Sequence, residues 1–318
     1  MRKKLISILA IASFALTACS QSQQGKSGEE RKQIGILQYV ELEPLDAARE
    51  GFLAELEDEG YRDGETVDIH YQNAQGDQSS LPTMSEKLLA DNDLVLGIAT
   101  QPAQSLTTVS SKTPVLFTAV SDPVSAKIIK SFEQPGGRAT GTTNMAPVSE
   151  RVALLQKVMP NLKKVGIMYT TNELNSELQV KKAKKAFKEA GIETVVKGIS
   201  STNDIQDTTR SLMEQTEVLF MPTDGLIDSS ISIVTDLSKE MKVPVVSGSA
   251  DLVESGVLFA YGPNYEKLGR QTAKQAIAVL EGKDIADIPA EEPAGMEVTV
   301  NKEMEKYLGI DLSPIEDN

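Results

Sequence analysis

The feature that most constrains the fold of this chain is an alternation of short apolar runs with longer amphipathic stretches, which begins near residue 33 and starts again near residue 164. Runs such as IGILQYV and KVGIMYT predict buried strands, and stretches such as AAREGFLAELEDEG and NSELQVKKAKKAFKEAG predict helices. Strands that alternate with helices form parallel sheets with helices on both faces. The pattern therefore predicts an α/β protein.

The second series of strands and helices repeats the spacing of the first. Gly166 lies 131 positions after Gly35, and Pro244 lies 130 positions after Pro114. The corner ATQPAQS, which follows an apolar run of the first series, has a counterpart in MPTDG of the second series. A near-constant offset is typical of an internal duplication. We therefore predict two similar, doubly wound, Rossmann-like lobes that are joined by a hinge.

The amino terminus has the features of a secretory leader. Basic residues at positions 2–4 precede an apolar run of 12 residues, and residues 1–18 therefore read as a signal peptide. The run ends in LTAC, which resembles the lipobox of bacterial lipoproteins and contains the only cysteine, Cys19. Residues 20–33 are polar and low in complexity, as a tether is. We predict that Cys19 is lipidated and anchors the protein to the outer face of the cytoplasmic membrane; an ordinary secretory signal is the alternative.

The composition argues against several classes of function. A net charge of -14 opposes binding to the phosphates of nucleic acid. The single histidine and the single cysteine leave no ligand set for a metal and no thiol nucleophile beyond Cys19. The motifs GxSxG, HExxH and the P-loop are also missing from the sequence. The Lys-rich segment VKKAKKAFK has its apolar residues on one helical face and therefore predicts a solvated basic face. We expect a binding protein without a cofactor or a metal, and not an enzyme.

The candidate ligand site lies in the loops that follow the predicted strands, because an open parallel sheet binds ligands beyond the carboxyl ends of its strands. These loops are rich in hydroxyl, amide, carboxylate and tyrosine side chains. The residues expected at the site are Tyr39, Thr100, Gln101, Ala119, Ser121, Asp122, Asn144, Tyr169, Asn172, Thr223, Asp224, Ser247 and Tyr261. Asp224 is the first candidate for an ammonium group, and Glu41 and Glu173 are alternatives. A polar residue before a helix is also the pattern of an N-cap, so each position has a purely structural interpretation as well.

Several of these segments resemble a known family. The lipobox with its tether, FTAVSDPV, GTTN and AYGPNYEKLGR are similar to the ABC-transporter substrate-binding lipoproteins for tryptophan and tyrosine uptake. The resemblance covers residues 34–312 and implies the type I periplasmic-binding-protein fold. It also implies that the helix after Tyr265 returns to the first lobe, so that lobe 1 contains residues 34–143 and 262–283. Lobe 2 then contains residues 144–261 and 284–318.

The resemblance also implies a binding mode. Thr100, Ala119 and Ser121 would hold the carboxylate of an aromatic amino acid, and Asp224 with Tyr39 would hold its ammonium group. The lobes would close on the ligand by rotation at the crossings, and a monomer would deliver it to the permease subunits of an ABC transporter. Two alternatives stay open: a sensory module that reports the ligand without transport, and a sugar or nucleoside binder with the same fold.

Overall fold

The computed structural model describes residues 31–316, so the predicted signal peptide, Cys19 and most of the predicted tether lie outside the described residues. The first parallel sheet contains five strands, which are β1 (Lys32–Gln38), β2 (Val67–Asn73), β3 (Leu94–Ile98), β4 (Val115–Val120) and β5 (Ala139–Thr143). Its connecting helices are α1 (Glu43–Asp58), α2 (Leu81–Asp91) and α3 (Thr100–Thr108). The strand order is β2-β1-β3-β4-β5, so this sheet is the doubly wound sheet expected for lobe 1.

The second sheet repeats this order. Its strands are β6 (Lys164–Thr170), β7 (Glu193–Ile199), β8 (Val218–Phe220), β9 (Val245–Ser247), β10 (Phe259–Gly262) and β11 (Glu297–Val300). They lie in the order β7-β6-β8-β9-β10-β11, in which only β11 is antiparallel. The helices of lobe 2 are α4 (Val148–Val158), α5 (Leu174–Glu189), α6 (Ile205–Met213), α7 (Gly225–Asp228), α8 (Ile231–Met241) and α10 (Lys302–Leu308). The predicted α/β fold with two similar lobes is confirmed, and Gly35 and Gly166 occupy equivalent central strands.

Apolar residues on both faces of each sheet form the cores. In lobe 1, Ile34, Ile36 and Leu37 of β1 are fully buried, as a central parallel strand requires. On α5 the apolar side chains of Val180, Ala183 and Phe187 are buried, and the lysines at positions 181, 182, 184, 185 and 188 are exposed, so the predicted basic face is confirmed. No helix within residues 31–316 is long and apolar enough to cross a membrane.

The helix after Tyr265 packs on lobe 1. This helix, α9 (Tyr265–Leu280), crosses α1 at very short range because each helix has a glycine at the crossing. A Cβ atom on Gly269 would lie 1.9 Å from the carbonyl oxygen of Ala48, and one on Gly51 would lie 2.0 Å from the carbonyl oxygen of Glu266. The contact anchors the C-terminal part of the chain to the first lobe.

Replacement of Gly269 by alanine is expected to separate the two helices. Alanine favours a helix more than glycine does, but the added methyl group overlaps backbone atoms that cannot move alone. We expect the Gly269→Ala variant to lose about 1–3 kcal/mol of unfolding free energy in urea denaturation. Gly137→Ala is the control, because its Cβ atom would meet nothing within 4 Å. Equal stability of the two variants would contradict this account of the crossing.

The last segment that crosses to lobe 2 starts later than the predicted boundary at residue 284. Ile285 belongs to a buried cluster of lobe 1, and the backbone N–H of Glu291 donates to the carbonyl oxygen of Gly141 in β5. The N–H of Thr143 donates in turn to the carbonyl oxygen of Glu291. Residues up to about 291 therefore pack on lobe 1, and the chain reaches lobe 2 at β11. The sequence pattern missed this because the segment forms a single bridge and not a regular strand.

Candidate ligand-binding cleft

A cavity lies where the carboxyl ends of the strands of the two sheets face each other. It contains about 410 Å³ of empty space, and a water molecule can be centred in about 30 Å³ of that space. Its walls come from both lobes and are formed by Tyr39, Leu42, Pro44, Leu45, Ala99, Thr100, Gln101, Ala119, Ser121, Asn144, Glu173, Asn175, Thr223, Gly225, Asp228 and Tyr265.

One end of the cavity presents hydrogen-bond donors of lobe 1. Helix α3 begins at Thr100, and the N–H groups of the first turn of a helix have no partner within that helix. The preceding residue, Ala99, has no side chain that can cap them and has a φ of 85°. Ala119, where the pairing of β4 with β5 is irregular, has a φ of 56°. Both alanines line the cavity in a backbone conformation that costs about 1–3 kcal/mol, and such strain is concentrated at functional sites.

Ser121 and Asn144 extend this polar end. The Ser121 hydroxyl donates to Oδ1 of Asn144 over 3.2 Å, and Nδ2 of Asn144 donates to the phenol oxygen of Tyr265 over 2.8 Å. All three side chains are buried. Asn144 follows β5 and Tyr265 begins α9, so both residues lie where the chain crosses between the lobes. This network therefore connects two of the crossing segments to the cavity wall. Burial raises the pKa of Tyr265 to about 12, so its hydroxyl group stays protonated.

The side of the cavity that lobe 2 forms is acidic. Glu173, in the loop between β6 and α5, accepts hydrogen bonds from the backbone N–H groups of Gly225 and Leu226 over 3.0 and 3.1 Å. Asp228 lies at the end of α7, and its Oδ1 atom has no hydrogen-bond partner among the described residues. Burial, with the charge of Asp224, raises the pKa of Glu173 to about 7, and the same two causes raise the pKa of Asp228 well above its usual value. This side of the cavity therefore suits a cation.

Asp224 does not line the cavity, which corrects the ammonium role expected for it. One of its carboxylate oxygens accepts from the backbone N–H of Thr170 and the hydroxyl of Ser176, each over 2.7 Å. The other accepts from the Thr170 hydroxyl over 2.7 Å and from the N–H of Ile227 over 3.1 Å. The side chain is fully buried and caps α7. Four donors satisfy it inside lobe 2, whereas Glu173 and Asp228 line the cavity.

The other walls of the cavity are apolar and aromatic. Leu42, Pro44 and Leu45 come from the start of α1, and the ring of Tyr39 stands at the end of β1. A Cβ atom on Gly225 would lie 3.4 Å from the Tyr39 ring, so lobe 2 approaches this ring closely. The Tyr39 hydroxyl donates to the carbonyl oxygen of Gly76 over 3.0 Å and is therefore engaged within lobe 1. Tyr39 thus offers its ring to the cavity.

Direct contacts between the lobes close the cavity. Gln78 Nε2 donates to the carbonyl oxygen of Asn172 over 3.1 Å, and Gln179 Nε2 donates to the Ser121 hydroxyl over 3.3 Å. The Lys182 ammonium lies 3.2 Å from a carboxylate oxygen of Asp122. Gln101 lies in the first turn of α3, and its Nε2 atom donates to Oδ1 of Asn175 over 3.5 Å. These contacts cross the cleft, so the two lobes lie close together along it.

Loss of the Lys182–Asp122 pair is expected to favour the open form. Both side chains are partly exposed, so the pair stabilises closure by less than about 1 kcal/mol, and Lys182→Met should weaken ligand binding about two- to fivefold. Titration calorimetry at low and high salt measures this, and the difference between variant and wild type should shrink at high salt. Lys184→Met, at another exposed position of α5, serves as the control. A Lys182→Met variant with wild-type affinity at low salt would show that the pair does not act in closure.

Six of the expected site residues do not line the cavity. Two of them are Asp122 and Asp224, which are described above, and four more lie elsewhere. Tyr169 packs on the core of lobe 2, and Ser247 is buried and accepts a hydrogen bond from the N–H of Ser249. The Tyr261 hydroxyl donates to the Glu150 carboxylate away from the cavity. Asn172 contributes only its carbonyl oxygen to the cleft contact. Tyr169, Ser247 and Tyr261 lie within the last residues of β6, β9 and β10, and of the four only Asn172 lies in a loop after a strand.

The structure also adds lining residues that were not among the expected site residues. Leu42 is the N-cap of α1, Pro44 and Leu45 belong to its first turn, and Asp228 lies one turn beyond the predicted corner. Tyr265 is the first residue of α9 and comes directly after a predicted loop. Asn175 and Gly225 also come from helix starts. The useful signal is the position of a residue in the first helical turn after a strand, because that turn faces the cleft as much as the loop does.

Comparison with known proteins places the chain among transport proteins. The family model for ABC transporter substrate binding proteins matches residues 33–314. A tyrosine-binding protein of Clostridioides difficile is 37% identical over 96% of this chain and 92% of its own length. The structure of an ABC domain in complex with L-Trp from Streptococcus pneumoniae is 33% identical, covers 89% of this chain and 96% of its own, and superposes with a TM-score of 0.85.

The comparison also bears on the closed cleft. A ligand-free, open structure of a substrate-binding protein with adhesive properties from Clostridium difficile is 39% identical and covers 88% of this chain and 95% of its own. Its TM-score is 0.70, which is lower than that of the less identical complex with L-Trp. The contacts across the cleft agree with a closed arrangement of the lobes. The two-lobed fold, the cavity between the lobes and the match over nearly the whole described chain show that this protein belongs to the ABC transporter substrate-binding proteins.

Proposed function

We propose that this protein captures an aromatic amino acid, with tyrosine and tryptophan as the first candidates and phenylalanine as the third, and delivers it to an ABC permease. The observation that carries the proposal is the polarity of the cavity. Lobe 1 lines it with hydrogen-bond donors, lobe 2 lines it with two buried carboxylates, and apolar and aromatic side chains complete its walls. A zwitterion with a flat apolar side chain complements this arrangement.

The donor end is assigned to the carboxylate of the ligand. The N–H groups at the start of α3 and the hydroxyl group of Thr100 line this part of the cavity, and the positive end of the helix dipole favours an anion. The Ser121 hydroxyl would join them by turning from Asn144 to the ligand. The acidic side is assigned to the ammonium group. Glu173 and Asp228 are both almost fully buried, and hydrogen bonds between an ammonium group and a carboxylate are stronger than those between neutral groups.

The aromatic side chain of the ligand is assigned to the wall of Tyr39, Leu42 and Leu45, with Tyr265 at its inner end. Aromatic rings that pack against one another contribute beyond the area they bury, by about 0.5–1.5 kcal/mol for each pair. The tyrosine-binding relative and the relative in complex with L-Trp support this class of ligand. Neither ranks the aromatic amino acids for this chain.

A thermal-shift screen tests the ligand class directly. The soluble protein from residue 20 onward is heated with each of the twenty amino acids and with common sugars and nucleosides. A ligand that binds only the native state at a hundredfold excess over its Kd raises the stability by about 2.7 kcal/mol. We expect large shifts with tyrosine, tryptophan or phenylalanine alone. A shift with only a sugar or nucleoside would reject the amino-acid assignment and keep the fold.

The role in transport follows from closure and from the anchor. The closed lobes present a joint surface to the permease, and opening of the lobes there releases the ligand. Acylation at Cys19 would hold the protein at the outer face of the membrane as a monomer beside its permease. Intact mass of the mature protein tests the anchor, and Cys19→Ser should release the protein into the medium. Uptake of labelled tyrosine in a strain without the protein distinguishes transport from a purely sensory role.

Affinity is expected to fall in acid. In the empty protein Glu173 titrates near pH 7, and an ammonium ligand requires it to be ionised. Below that pH the ligand must displace a proton, so the affinity for tyrosine should fall by up to about tenfold per pH unit. The stability of the empty protein depends on pH in the opposite direction. Its unfolding free energy falls as pH rises from about 4.5 to about 7, because in this range the folded state holds a proton on Glu173 that the unfolded state does not. Calorimetric titration between pH 5.5 and 8 measures the first effect, and a constant affinity would contradict it.

A further inference from the structure

Gln179 of α5 is a buried polar side chain of lobe 2 that reaches lobe 1 beside the proposed carboxylate position. The residue is 2% exposed. Its Oε1 atom accepts from the backbone N–H of Thr223 over 3.1 Å. Its Nε2 atom lies 3.3 Å from the carbonyl oxygen of Thr223 and 3.3 Å from the hydroxyl oxygen of Ser121. Ser121 and Thr223 line the ligand cavity and Gln179 lies behind them, so any effect of Gln179 on a ligand passes through these neighbours.

The backbone of Thr223 fixes which way the Gln179 amide points. Because the N–H of Thr223 can bond only to an acceptor, Oε1 of Gln179 must be the atom that faces it. One N–H of the amide then points to the carbonyl oxygen of Thr223, and the second N–H is left for Ser121. The Ser121 oxygen therefore accepts a hydrogen bond from lobe 2, and its own single proton must go to another acceptor.

In the empty cavity the proton of Ser121 is donated to Asn144. The bond to Oδ1 of Asn144 is 3.2 Å long, and the other side of that amide donates to the phenol oxygen of Tyr265. A ligand carboxylate at the start of α3 is a stronger acceptor than an amide oxygen, so the Ser121 proton can turn to it. A hydroxyl group that accepts a hydrogen bond is also polarised into a better donor. Gln179 thus prepares Ser121 to donate.

The same place carries a buried positive charge. Arg151 of α4 is 1% exposed, its guanidinium stacks over the ring of Phe220 at 4.5 Å from the ring centre, and its Nε atom has no hydrogen-bond partner in the described part of the chain. It lines a small gap whose other walls include Ser121, Asn144, Gln179 and Thr223. Three of these four residues also line the ligand cavity, so the gap adjoins it. A cation in this position complements an anionic group of the ligand.

We propose that Gln179 is a positioning residue for the carboxylate of the ligand: its amide, held by Thr223, donates to Ser121 across the cleft and so leaves the Ser121 proton for that carboxylate. The proposal rests on the proposed amino-acid function and deepens it, because it makes the α-carboxylate a group that both lobes recognise. Lobe 1 supplies the hydroxyl that touches the carboxylate, and lobe 2 supplies the side chain that sets the direction of the hydroxyl.

The first test replaces the donor by an acceptor. Gln179→Glu keeps the shape and an acceptor for the N–H of Thr223, but an ionised glutamate has no N–H to give, and Arg151 on the same gap favours its ionised form. The Ser121 proton would then turn to the glutamate, and the Ser121 oxygen would face the ligand. Calorimetric titration at pH 7 compares L-tyrosine with L-tyrosinamide, whose neutral amide can donate to that oxygen. The preference for L-tyrosine over L-tyrosinamide should fall by about tenfold or more.

Gln78→Glu is the matched control for this ratio. Gln78 also donates across the cleft, over 3.1 Å, but its acceptor is the carbonyl oxygen of Asn172, which does not line the cavity. This variant should weaken both ligands alike and keep their ratio. A merely structural role of Gln179 predicts the same for Gln179→Glu, so an unchanged ratio in that variant would overturn the proposal.

A double-mutant cycle tests whether Gln179 acts through Ser121. Gln179→Met removes the amide without adding a charge and should weaken the binding of L-tyrosine about two- to tenfold. In a Ser121→Ala background the same replacement should cause almost no further loss, because the hydroxyl group that it acts on is gone. Equal losses in the two backgrounds would overturn the proposed path. If the wild type binds neither ligand, the proposed function fails together with this inference; if it binds L-tyrosine but the ratio and the cycle show no effect, this inference alone fails.

Discussion

Replacement of Glu173 by glutamine is expected to weaken the binding of tyrosine by about 1.5–3 kcal/mol, which is the range for a hydrogen bond to a charged group. Glu173 is 2% exposed and lies at the acidic side of the cavity, so the lost charge is not replaced by solvent. The amide of glutamine also directs N–H donors at the ligand ammonium, and like donors repel. Because Glu173 titrates near pH 7, the variant should in addition lose most of the decrease in affinity between pH 7.5 and 5.5.

Calorimetric titration at two pH values separates these effects. Glu177→Gln is the matched control, since this residue is one turn further along, is half-exposed and pairs with Lys181. The control should bind tyrosine as the wild type does. Melting of each ligand-free variant shows whether the fold is intact, because the glutamine amide faces the N–H of Gly225 or of Leu226. A well-folded Glu173→Gln variant with unchanged affinity would leave Asp228 as the ammonium partner.

Replacement of Asp224 by asparagine is expected to destabilise lobe 2 by about 2–4 kcal/mol, since a hydrogen-bonded buried charge is lost and at least one N–H donor is left without an acceptor. Each carboxylate oxygen accepts from a backbone N–H, that of Thr170 or that of Ile227. Whichever way the amide of asparagine turns, its NH₂ group therefore faces a backbone N–H. The melting temperature of the ligand-free protein should fall, and tyrosine binding should weaken because α7 carries Asp228.

Ser176→Ala is the control for this prediction. It removes one of the four donors to Asp224 without leaving an opposed pair of donors, and should cost about 1 kcal/mol. The direct measurement is urea denaturation of both variants, with and without tyrosine. If Asp224→Asn keeps wild-type stability but loses affinity, the side chain contacts the ligand after all, and the assignment of its role to the cap of α7 is wrong.

Local patterns predicted the architecture well because each of them acts over a few residues. The glycine and proline landmarks located equivalent strands in the two lobes, and the apolar face of α5 identified its buried side. The final boundary of lobe 1 was wrong because the bridge between Glu291 and Thr142 joins residues far apart in sequence. Single bridges leave no periodicity in a sequence, so only the folded chain reveals them.

The candidate site shows the same division. The sequence by itself predicted a site at the carboxyl ends of the strands, and a cavity lies there that Tyr39, Thr100, Gln101, Ala119, Ser121, Asn144 and Thr223 line. Only the tertiary structure decided between Asp224 and Asp228. These acids are four residues apart at a single helical turn, yet one caps the helix within lobe 2 and the other faces the cleft. An acidic residue near a helix start has the same local pattern in both roles, and the choice depends on donors such as Thr170 and Ser176 that distant elements bring to it.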